Sequence, residues 1–207
     1  FSFAIFDQEK SSIFLARDPF GIKPIYYYHN KHYLIFGSEL KAIRNLIPIK
    51  KNINLPVVSD YLLNGIYDRG KNTFFDNYYS LQPGHLIKVD LSQHNKINQE
   101  RWYIPKLLIL NSLSIKEASR KVRELFLESI NLHLRGDVPS CISLSGGLDS
   151  SAIACAVRYI NPKSEINTFS YCPQGYAFNE EKWIDIVNDH IKAIPHKFNI
   201  KPKEIIE

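Results

Sequence analysis

The feature that most constrains the fold is a glycine loop between a buried strand and an amphipathic helix. Cys141–Leu144 form a short apolar run, and Ser151–Ile160 carry apolar side chains at helical spacing. The loop between them reads Ser145-Gly146-Gly147-Leu148-Asp149-Ser150-Ser151. Its two glycines allow a sharp turn and a close approach of the backbone to another group. A strand that turns directly into a helix, with further strands and helices alternating after it, predicts an α/β unit with a parallel sheet.

The residue types of this loop suit an anion. Free N–H groups at the start of a helix, with the helix dipole behind them, favour negative charge. Ser145, Ser150 and Ser151 add hydroxyl donors, and Asp149 can hold Mg2+ against phosphate groups. No Gly-Lys-Ser/Thr follows the glycines, so the lysine that reaches the β- and γ-phosphates in the commoner phosphate loop is absent. We therefore predict a loop that holds the pyrophosphate of ATP as a leaving group; the alternative is a tight turn with an Asp or Ser helix cap.

Several stretches match one known family in order along the chain. The loop resembles the PP-loop of N-type ATP pyrophosphatases, and residues 122–139 together with the loop resemble glutamine-hydrolysing asparagine synthetase. Two further signatures of that family lie upstream. They are Ala-Arg-Asp-Pro-Phe-Gly-Ile-Lys-Pro-Ile-Tyr-Tyr at 16–27, followed by 37–42, and Leu-Gln-Pro-Gly-His at 81–85, followed by 101–103.

The resemblance implies a mixed α/β chain with two partial domains. Residues 1–92 would be the C-terminal part of an N-terminal-nucleophile, β-rich αββα domain of the class II amidotransferase (glutaminase) type. Residues 93–112 would be a connector. Residues 113–207 would be the first part of a Rossmann-like PP-loop domain of the asparagine synthetase kind.

Local patterns predict the individual elements. Strands are expected where aromatic and aliphatic residues alternate with turn residues, at Phe1–Asp7, Ile13–Ala16, Pro24–Tyr28, Tyr33–Phe36, Leu86–Leu91, Ile166–Tyr171 and His196–Ile200. Helices are expected at Leu40–Leu46, Leu55–Asn64 with Gly65 as C-cap, Ser114–Leu134, and Asn179–Ile191. In the helix from Ser114, the predicted buried face consists of Ala118, Val122, Leu125, Ser129 and Leu132. Arg17 and Asp18 are expected to fix a turn by hydrogen bonds, and His85 to be structural.

The resemblance also implies the chemistry. In the family a glutaminase releases ammonia from glutamine, and the synthetase domain uses ATP to form aspartyl-AMP and then asparagine. The implied ATP-binding residues are Leu144, Ser145, Gly146, Gly147, Leu148, Asp149, Ser150, Ser151, Tyr171 and Glu180. Asp149 would carry Mg2+, and backbone and hydroxyl groups of the loop would stabilise the departing pyrophosphate. No catalytic residue is expected within this segment.

Some of these assignments have structural alternatives. Leu144 and Phe169 align with positions at the adenine pocket but are equally compatible with core packing. Glu180 aligns with an acidic position, although an acid also suits the start of a helix, and His196 aligns with one of two consecutive histidines. Pro195 and Lys197 depart from the family pattern, in which a histidine and an acid are usual.

The resemblance leaves the chain incomplete. It contains no methionine, and residue 1 is Phe where the family has a cysteine nucleophile at its mature N-terminus. The chain also ends before the family's catalytic Glu and Lys. We expect an internal segment that by itself neither hydrolyses glutamine nor completes amide synthesis. Glutamine would bind through the missing N-terminal segment, aspartate or another carboxylate would be the acceptor, and a homodimer is possible.

Composition argues against several other classes. The net charge is +5, but Lys and Arg are scattered without a run or stripe, so nucleic acid is not an expected partner. No apolar run approaches the roughly 18 residues that span a bilayer, so neither a membrane nor a signal segment is expected. Cys141, Cys155 and Cys172 lack paired or metal-type spacing, which favours structural cysteines in a reducing cytoplasm.

Three other functions remain open. A lactam- or macrocycle-forming amide synthetase of a natural-product pathway would keep the chemistry and change the acceptor, and the altered residues around Pro195 allow this. A PP-loop tRNA-modifying enzyme would share the loop, but it usually carries that loop near its N-terminus. A nucleotide-binding protein without catalytic activity would require a parent chain that lacks the distal Glu and Lys.

Overall fold

The computed structural model describes residues 1–46, 52–68, 70–93, 96–106, 113–176 and 179–200. They form two compact units, Phe1–Leu108 and Ile109–Glu207, each with its own helices and sheets. The mixed α/β class predicted from the sequence is confirmed. Within the described part of the chain, no helix is both long and apolar enough to cross a membrane.

The first unit contains two antiparallel sheets. Its elements are β1 (Ser2–Asp7), β2 (Ser12–Arg17), β3 (Tyr26–His29), β4 (Leu34–Gly37), α1 (Leu40–Arg44), α2 (Leu55–Asn64), β5 (Tyr78–Ser80), β6 (His85–Asp90) and β7 (Lys96–Arg101). One sheet has the order β1-β2-β6-β7 and the other the order β4-β3-β5. Leu15, Ile87 and Val89 belong to the first sheet. They pack with Tyr27 of the second sheet and with Leu81, which directly follows β5, so the two sheets share a hydrophobic core.

Two strands differ from the sequence prediction. The residues of β7 were expected to belong to a connector, but they pair with β6 from His85↔Arg101 to Asp90↔Lys96. That prediction is wrong because β7 is polar apart from Ile97 and is held by backbone hydrogen bonds at the edge of the sheet. The short strand β5 was not predicted, since three residues are too few to show alternation. Residues 107–112 of the predicted connector lie outside the described residues.

The second unit is a three-stranded parallel sheet with helices between its strands. Its elements are α3 (Ile115–His133), β8 (Cys141–Ser143), α4 (Leu148–Ile160), β9 (Asn167–Tyr171), α5 (Glu181–Ile191) and β10 (Ile194–Phe198). The strand order is β10-β9-β8, with both neighbouring pairs parallel. The α/β unit predicted from the glycine loop is therefore confirmed, although α4 begins at Leu148 rather than Ser151 and β10 begins at Ile194 rather than His196.

The sheet of the second unit is covered on one face by helices. Side chains alternate along β9, so that Thr168 and Ser170 are buried while Phe169 and Tyr171 are partly exposed on the other face. The Thr168 hydroxyl donates a hydrogen bond to Oδ1 of Asn188 on α5 (2.7 Å), in the interior. Within the described residues, Nδ2 of Asn188 is buried without a partner. This pair therefore joins the sheet to α5 through a buried polar contact.

Helix α3 packs through a different face from the one predicted. It begins with a capping box in which Ser114 and Glu117 exchange hydrogen bonds, and these bonds hold the pKa of Glu117 below its ordinary value. The predicted face is largely exposed: Val122 and Leu125 are 66% and 62% accessible. Ile130 and Leu134 instead pack against the core. The helix carries two apolar stripes, and helical periodicity alone does not tell which one is covered.

Arg158 joins the C-terminal ends of α4 and α5. Its guanidinium donates to the carbonyls of Ile191 (2.6 Å) and Lys192 (3.2 Å) at the end of α5. It also donates to the carbonyls of Pro162 and Ser164, both at 2.8 Å, in the turn after α4. One side chain thus satisfies carbonyl groups at the end of α5 and in the turn after α4.

All three cysteines are free thiols. Cys172 is buried, which raises the pKa of its thiol, and Cys155 packs against the core. Cys141 is exposed, so the expectation of a structural role fits the other two better.

Candidate functional site

The glycine loop begins at a residue whose backbone is held on both sides. The Leu144 N–H donates to the carbonyl of Phe169 (2.9 Å), and the Leu144 carbonyl accepts from the buried Ser170 hydroxyl (2.7 Å). The Leu144 side chain is 2% accessible and belongs to the core cluster of the unit. The side chain of Leu144 is therefore packed in the core, which is one of the two alternatives from the sequence. The residue also lines the cleft described below.

Gly146 needs to be a glycine for two independent reasons. Its φ is +78°, in the left-handed region that disfavours residues with a Cβ. A Cβ at this position would lie 2.9 Å from Cβ of Trp183, 3.1 Å from the Ile184 nitrogen and 3.4 Å from the Glu180 carbonyl oxygen. The loop therefore sits directly against the first turn of α5.

The serine hydroxyls of the loop are organised into a small network. Ser150 Oγ lies 3.0 Å from Ser145 Oγ, accepts from the Ser145 N–H (3.2 Å) and donates to the Gly147 carbonyl (3.2 Å). Ser145 Oγ also accepts from the Gly147 N–H (3.3 Å). These bonds hold the turn closed.

The first turn of α4 presents donors to the solvent. Gly147 is the N-cap, and no side chain accepts from the N-terminal turn. The first N–H groups of a helix have no acceptor within the helix, so those of 148–150 point towards the loop end of the sheet. Asp149 lies in this turn, and Leu148 is 86% accessible, so its side chain is not part of a pocket wall.

A cleft of about 430 Å³ opens beside the loop, at the carboxyl ends of the strands. It brings together four predicted residues, which are Leu144, Ser145, Tyr171 and Glu180. Its wall also includes Phe169 and Ser170, which the resemblance aligns with the adenine pocket. Three further wall residues, Ser143, Pro173 and Phe198, were not singled out by the sequence. The remaining predicted residues, from Gly146 to Ser151, continue from Ser145 along the turn and into α4 rather than lining the cleft.

Aromatic rings cover the open face of the sheet next to the cleft. The Phe169 ring stacks on His196, with centroids 4.6 Å apart, and on Phe198 at 5.8 Å. Nε2 of His196 is hydrogen-bonded to Oδ1 of Asn167 (2.8 Å). Phe169 is therefore a surface aromatic rather than a core residue, and the part of the cleft formed by Phe169 and Phe198 offers a flat apolar wall.

The start of α5 is held by charged and polar contacts. The Glu181 N–H donates to Oδ1 of Asn179 (2.9 Å), and Lys197 Nζ lies 2.6 Å from Asp185 and 2.9 Å from Glu181. Hydrogen bonds to Asp185 and then to Glu181 raise the pKa of Lys197 above its ordinary value. The hydrogen bond from Lys197 in turn lowers the pKa of Glu181. Glu180, the N-cap residue, uses no side-chain hydrogen bond to cap the helix.

The donor set for a metal is small. Among the described residues, no group of three or more His, Cys, Asp or Glu side chains is arranged to hold a metal ion. Asp149 is therefore a single carboxylate in this turn. That arrangement fits Mg2+, which is commonly held by one or two carboxylates together with phosphate oxygens and water.

In the first unit, the Arg17–Asp18 signature is structural, as predicted. Asp18 accepts from the backbone N–H groups of Phe20, Ile22 and Lys23, each at 3.0 Å. Burial alone would raise the pKa of Asp18, but these donors outweigh burial and hold it well below its usual value. Arg17 donates to the carbonyls of Gly21 (2.8 Å) and Leu81 (2.7 Å), among others.

His85, also in the first unit, has the structural role predicted for it. Its Nδ1 lies 2.9 Å from the carbonyl oxygen of Pro83, two residues earlier in the same turn.

Comparisons with known proteins match both units. Residues 1–103 match a family described as a glutamine amidotransferase domain, and residues 121–207 match a family described as asparagine synthase. A protein of Methanocaldococcus jannaschii, provisionally named asparagine synthetase [glutamine-hydrolyzing] 2, is 32% identical over 209 residues and is aligned with all of this chain and 40% of its own length. Asparagine synthetase [glutamine-hydrolyzing] 2 of Bacillus subtilis is 32% identical over 189 residues, covering 87% of this chain and 25% of the relative.

A relative with a different name also matches. Amidase chry2 of Gibberella zeae is 27% identical over 168 residues, which cover 77% of this chain and 23% of that protein. The chain spans 40% or less of the length of each of these three relatives.

Proposed function

The chain belongs to the glutamine-hydrolysing asparagine synthetase family, and from that premise we propose that it acts in an ATP-dependent ligase that forms carbon–nitrogen bonds. The observation that carries the proposal is the glycine loop at the carboxyl end of β8. The first turn of α4, the hydroxyl network and the adjoining cleft lie at the carboxyl ends of the parallel strands, where such sheets bind ligands.

ATP is the nucleotide that this site would take. The pyrophosphate portion would lie on residues 145–151, where the N–H groups of α4 and the Ser145, Ser150 and Ser151 hydroxyls supply donors. The adenine ring would lie in the cleft with Leu144 and Tyr171, and Glu180 would border it. Mg2+ held by Asp149 would neutralise charge on the phosphate groups.

The reaction proposed is adenylation followed by amide formation. A carboxylate oxygen of aspartate attacks the α-phosphorus of ATP, the bond to the bridging oxygen breaks, and pyrophosphate leaves. Ammonia then attacks the acyl carbon of aspartyl-AMP, AMP leaves with the electron pair of the broken bond, and loss of a proton gives asparagine. The loop's task is the first step, in which its fixed donors stabilise negative charge that grows on the departing pyrophosphate.

The first unit supports glutamine as the source of ammonia. Residues 1–103 match a glutamine amidotransferase domain, and the Arg17–Asp18 contacts fix a turn of that domain rather than supplying a reacting group. We place the enzyme in a reducing cytoplasm because its three cysteines are unpaired thiols, and a homodimer remains part of the proposal.

A second acceptor chemistry has support of its own. Amidase chry2, which carries a different name from the synthetases, matches 77% of this chain. Pro195 and Lys197 also depart from the pattern expected from the synthetases. An amide-forming enzyme that activates another carboxylate would use the same loop in the same way.

Binding of Mg2+-pyrophosphate and ATP tests the phosphate site. We expect the protein to bind both competitively, and Asp149→Asn to weaken the Mg2+-dependent part of binding by roughly tenfold or more, the scale of losing a charged metal ligand. Asp189→Asn, which alters an exposed acid of α5, is the matched control and should bind like the wild type. Equal binding by wild type and Asp149→Asn would refute the metal assignment, and no pyrophosphate binding by wild type would refute the function.

ATP–pyrophosphate exchange, measured on the full-length protein that contains this chain, identifies the acceptor. Exchange that requires aspartate supports asparagine synthesis, whereas exchange supported by another carboxylate and not by aspartate supports the second chemistry.

A further inference from the structure

Lys197 lies on the helix-covered side of β10. Its neighbours His196 and Phe198 contact the Phe169 ring on the open face, and alternation along a strand turns Lys197 to the opposite face. There its Nζ reaches Asp185 Oδ1 at 2.6 Å and Glu181 Oε1 at 2.9 Å. The two acids are four residues apart on α5, so they lie on one side of that helix and receive the lysine together.

The turn of α5 that Lys197 contacts is the same turn that meets the glycine loop. Glu180, Trp183 and Ile184 provide the atoms closest to a Cβ built on Gly146, at 3.4, 2.9 and 3.1 Å. Glu181 and Asp185 belong to the same stretch of α5 as these residues, so Lys197 contacts one side of this part of the helix while the loop packs against another. A shift of this turn by a few tenths of an ångström would therefore change the position of the glycine loop.

The lysine also balances charge near the loop. Glu180, Glu181 and Asp185 place three carboxylates at the start of α5, and Glu180 lines the cleft. Negative charge at this point opposes the binding of a phosphate anion, and a lysine between two of the acids reduces that opposition. The position of the α5 turn and the reduced negative charge would both favour the binding of a phosphate group.

We propose that Lys197 is a positioning residue for the phosphate loop, because it holds the first turn of α5 against Gly146 and offsets the acids beside the loop. This inference rests on the proposed function, since the ligand it serves is the pyrophosphate portion of ATP. Lys197 touches no substrate in this arrangement; it acts through Glu181 and Asp185.

Pyrophosphate binding by Lys197 variants tests the inference. Lys197→Met keeps the aliphatic stem and removes the charge, and we expect it to weaken Mg2+-pyrophosphate binding by roughly three- to tenfold, the range for a partly exposed ion-pair network. Lys197→Arg should restore binding to within about twofold, because a guanidinium can bridge the same two carboxylates. Arg120→Met, which removes an exposed ion pair with Glu124 on α3, is the matched control and should leave binding unchanged.

Tryptophan fluorescence gives a readout that a general loss of stability would not move. The chain has two tryptophans, so a Trp102→Phe background leaves Trp183 as the single reporter, directly at the contact with Gly146. We expect folded Lys197→Met to shift the emission of Trp183 and to reduce its response to pyrophosphate, and Lys197→Arg to preserve both. If Lys197→Met does not fold, Asp185→Asn, which removes one of the two partners, replaces it in both measurements.

The outcomes separate the two proposals. Equal pyrophosphate affinity and equal Trp183 emission in wild type and Lys197→Met would overturn the positioning role and leave the proposed function intact. Absence of pyrophosphate binding by the wild type would overturn the proposed function itself. A third outcome, in which both Lys197→Met and Lys197→Arg bind pyrophosphate weakly, would also count against the inference. Arginine keeps the positive charge of lysine, and the inference holds that this charge is what matters.

Discussion

Substitution of Gly146 by alanine tests how the glycine loop is held. The added methyl group would enter a space already occupied by Cβ of Trp183 at 2.9 Å and the backbone nitrogen of Ile184 at 3.1 Å. The second of these atoms belongs to the helix backbone and cannot rotate away. The variant must therefore move the loop or the first turn of α5.

The cost can be worked out from two separate effects. A non-glycine residue in the left-handed region costs about 1–2 kcal/mol. Forcing an extra methyl into a packed contact costs about 1–3 kcal/mol more. We expect Gly146→Ala to lower the free energy of unfolding by roughly 2–5 kcal/mol and to abolish most of the pyrophosphate affinity.

Gly175→Ala is the matched control. Gly175 has φ +80° in the same unit, but a Cβ there would meet no atom within 4 Å. It should show the backbone penalty alone, about 1–2 kcal/mol in urea unfolding, and retain pyrophosphate binding by equilibrium dialysis. Equal losses of stability in the two variants, or unchanged binding in Gly146→Ala, would show that the close approach to α5 is not what requires a glycine.

Three further changes follow from the contacts described above. Thr168→Val should cost about 1–3 kcal/mol in denaturant unfolding because it leaves Oδ1 of Asn188 buried and unpaired; adding Asn188→Leu should recover part of that loss, and no recovery would contradict the pairing. Asp18 has a lowered pKa in the folded protein, so its stabilising effect is complete above about pH 5 and is lost as the pH falls below about 4. Thermal unfolding should show this dependence in wild type, and a curve of the same shape in Asp18→Asn would refute it. Ser114→Ala should lower stability by about 0.5–2 kcal/mol through loss of the capping box, whereas Ser119→Ala, an exposed change on the same helix, should not.

The parts of the fold predicted from sequence are those with a strong local signal. The glycine loop lies between a strand and a helix as predicted, because two glycines, an apolar run and a helical pattern coincide there. The Arg17–Asp18 turn and the Gly65 cap, with φ +69°, also follow from local chemistry. Each of these features depends on neighbours within a few residues.

The parts that were missed depend on partners distant in sequence. Strand β7 is polar and exists because β6 offers it hydrogen bonds. The covered stripe of α3 is decided by which side meets the core, and both stripes of the helix are apolar. Phe198 reaches the cleft only because β10 lies next to β9, a pairing with no local signature.

The Arg158 contacts fix the C-terminal end of α5 against the turn that follows α4. Helices α4 and α5 follow parallel strands, so their N-terminal ends face the loop and their C-terminal ends face the opposite edge, where Arg158 ties Ile191 and Lys192 to the turn after α4. At their N-terminal ends the two helices are joined by the packing of the first turn of α5 on Gly146, so the glycine loop and the Arg158 contacts fix the helix pair at both ends.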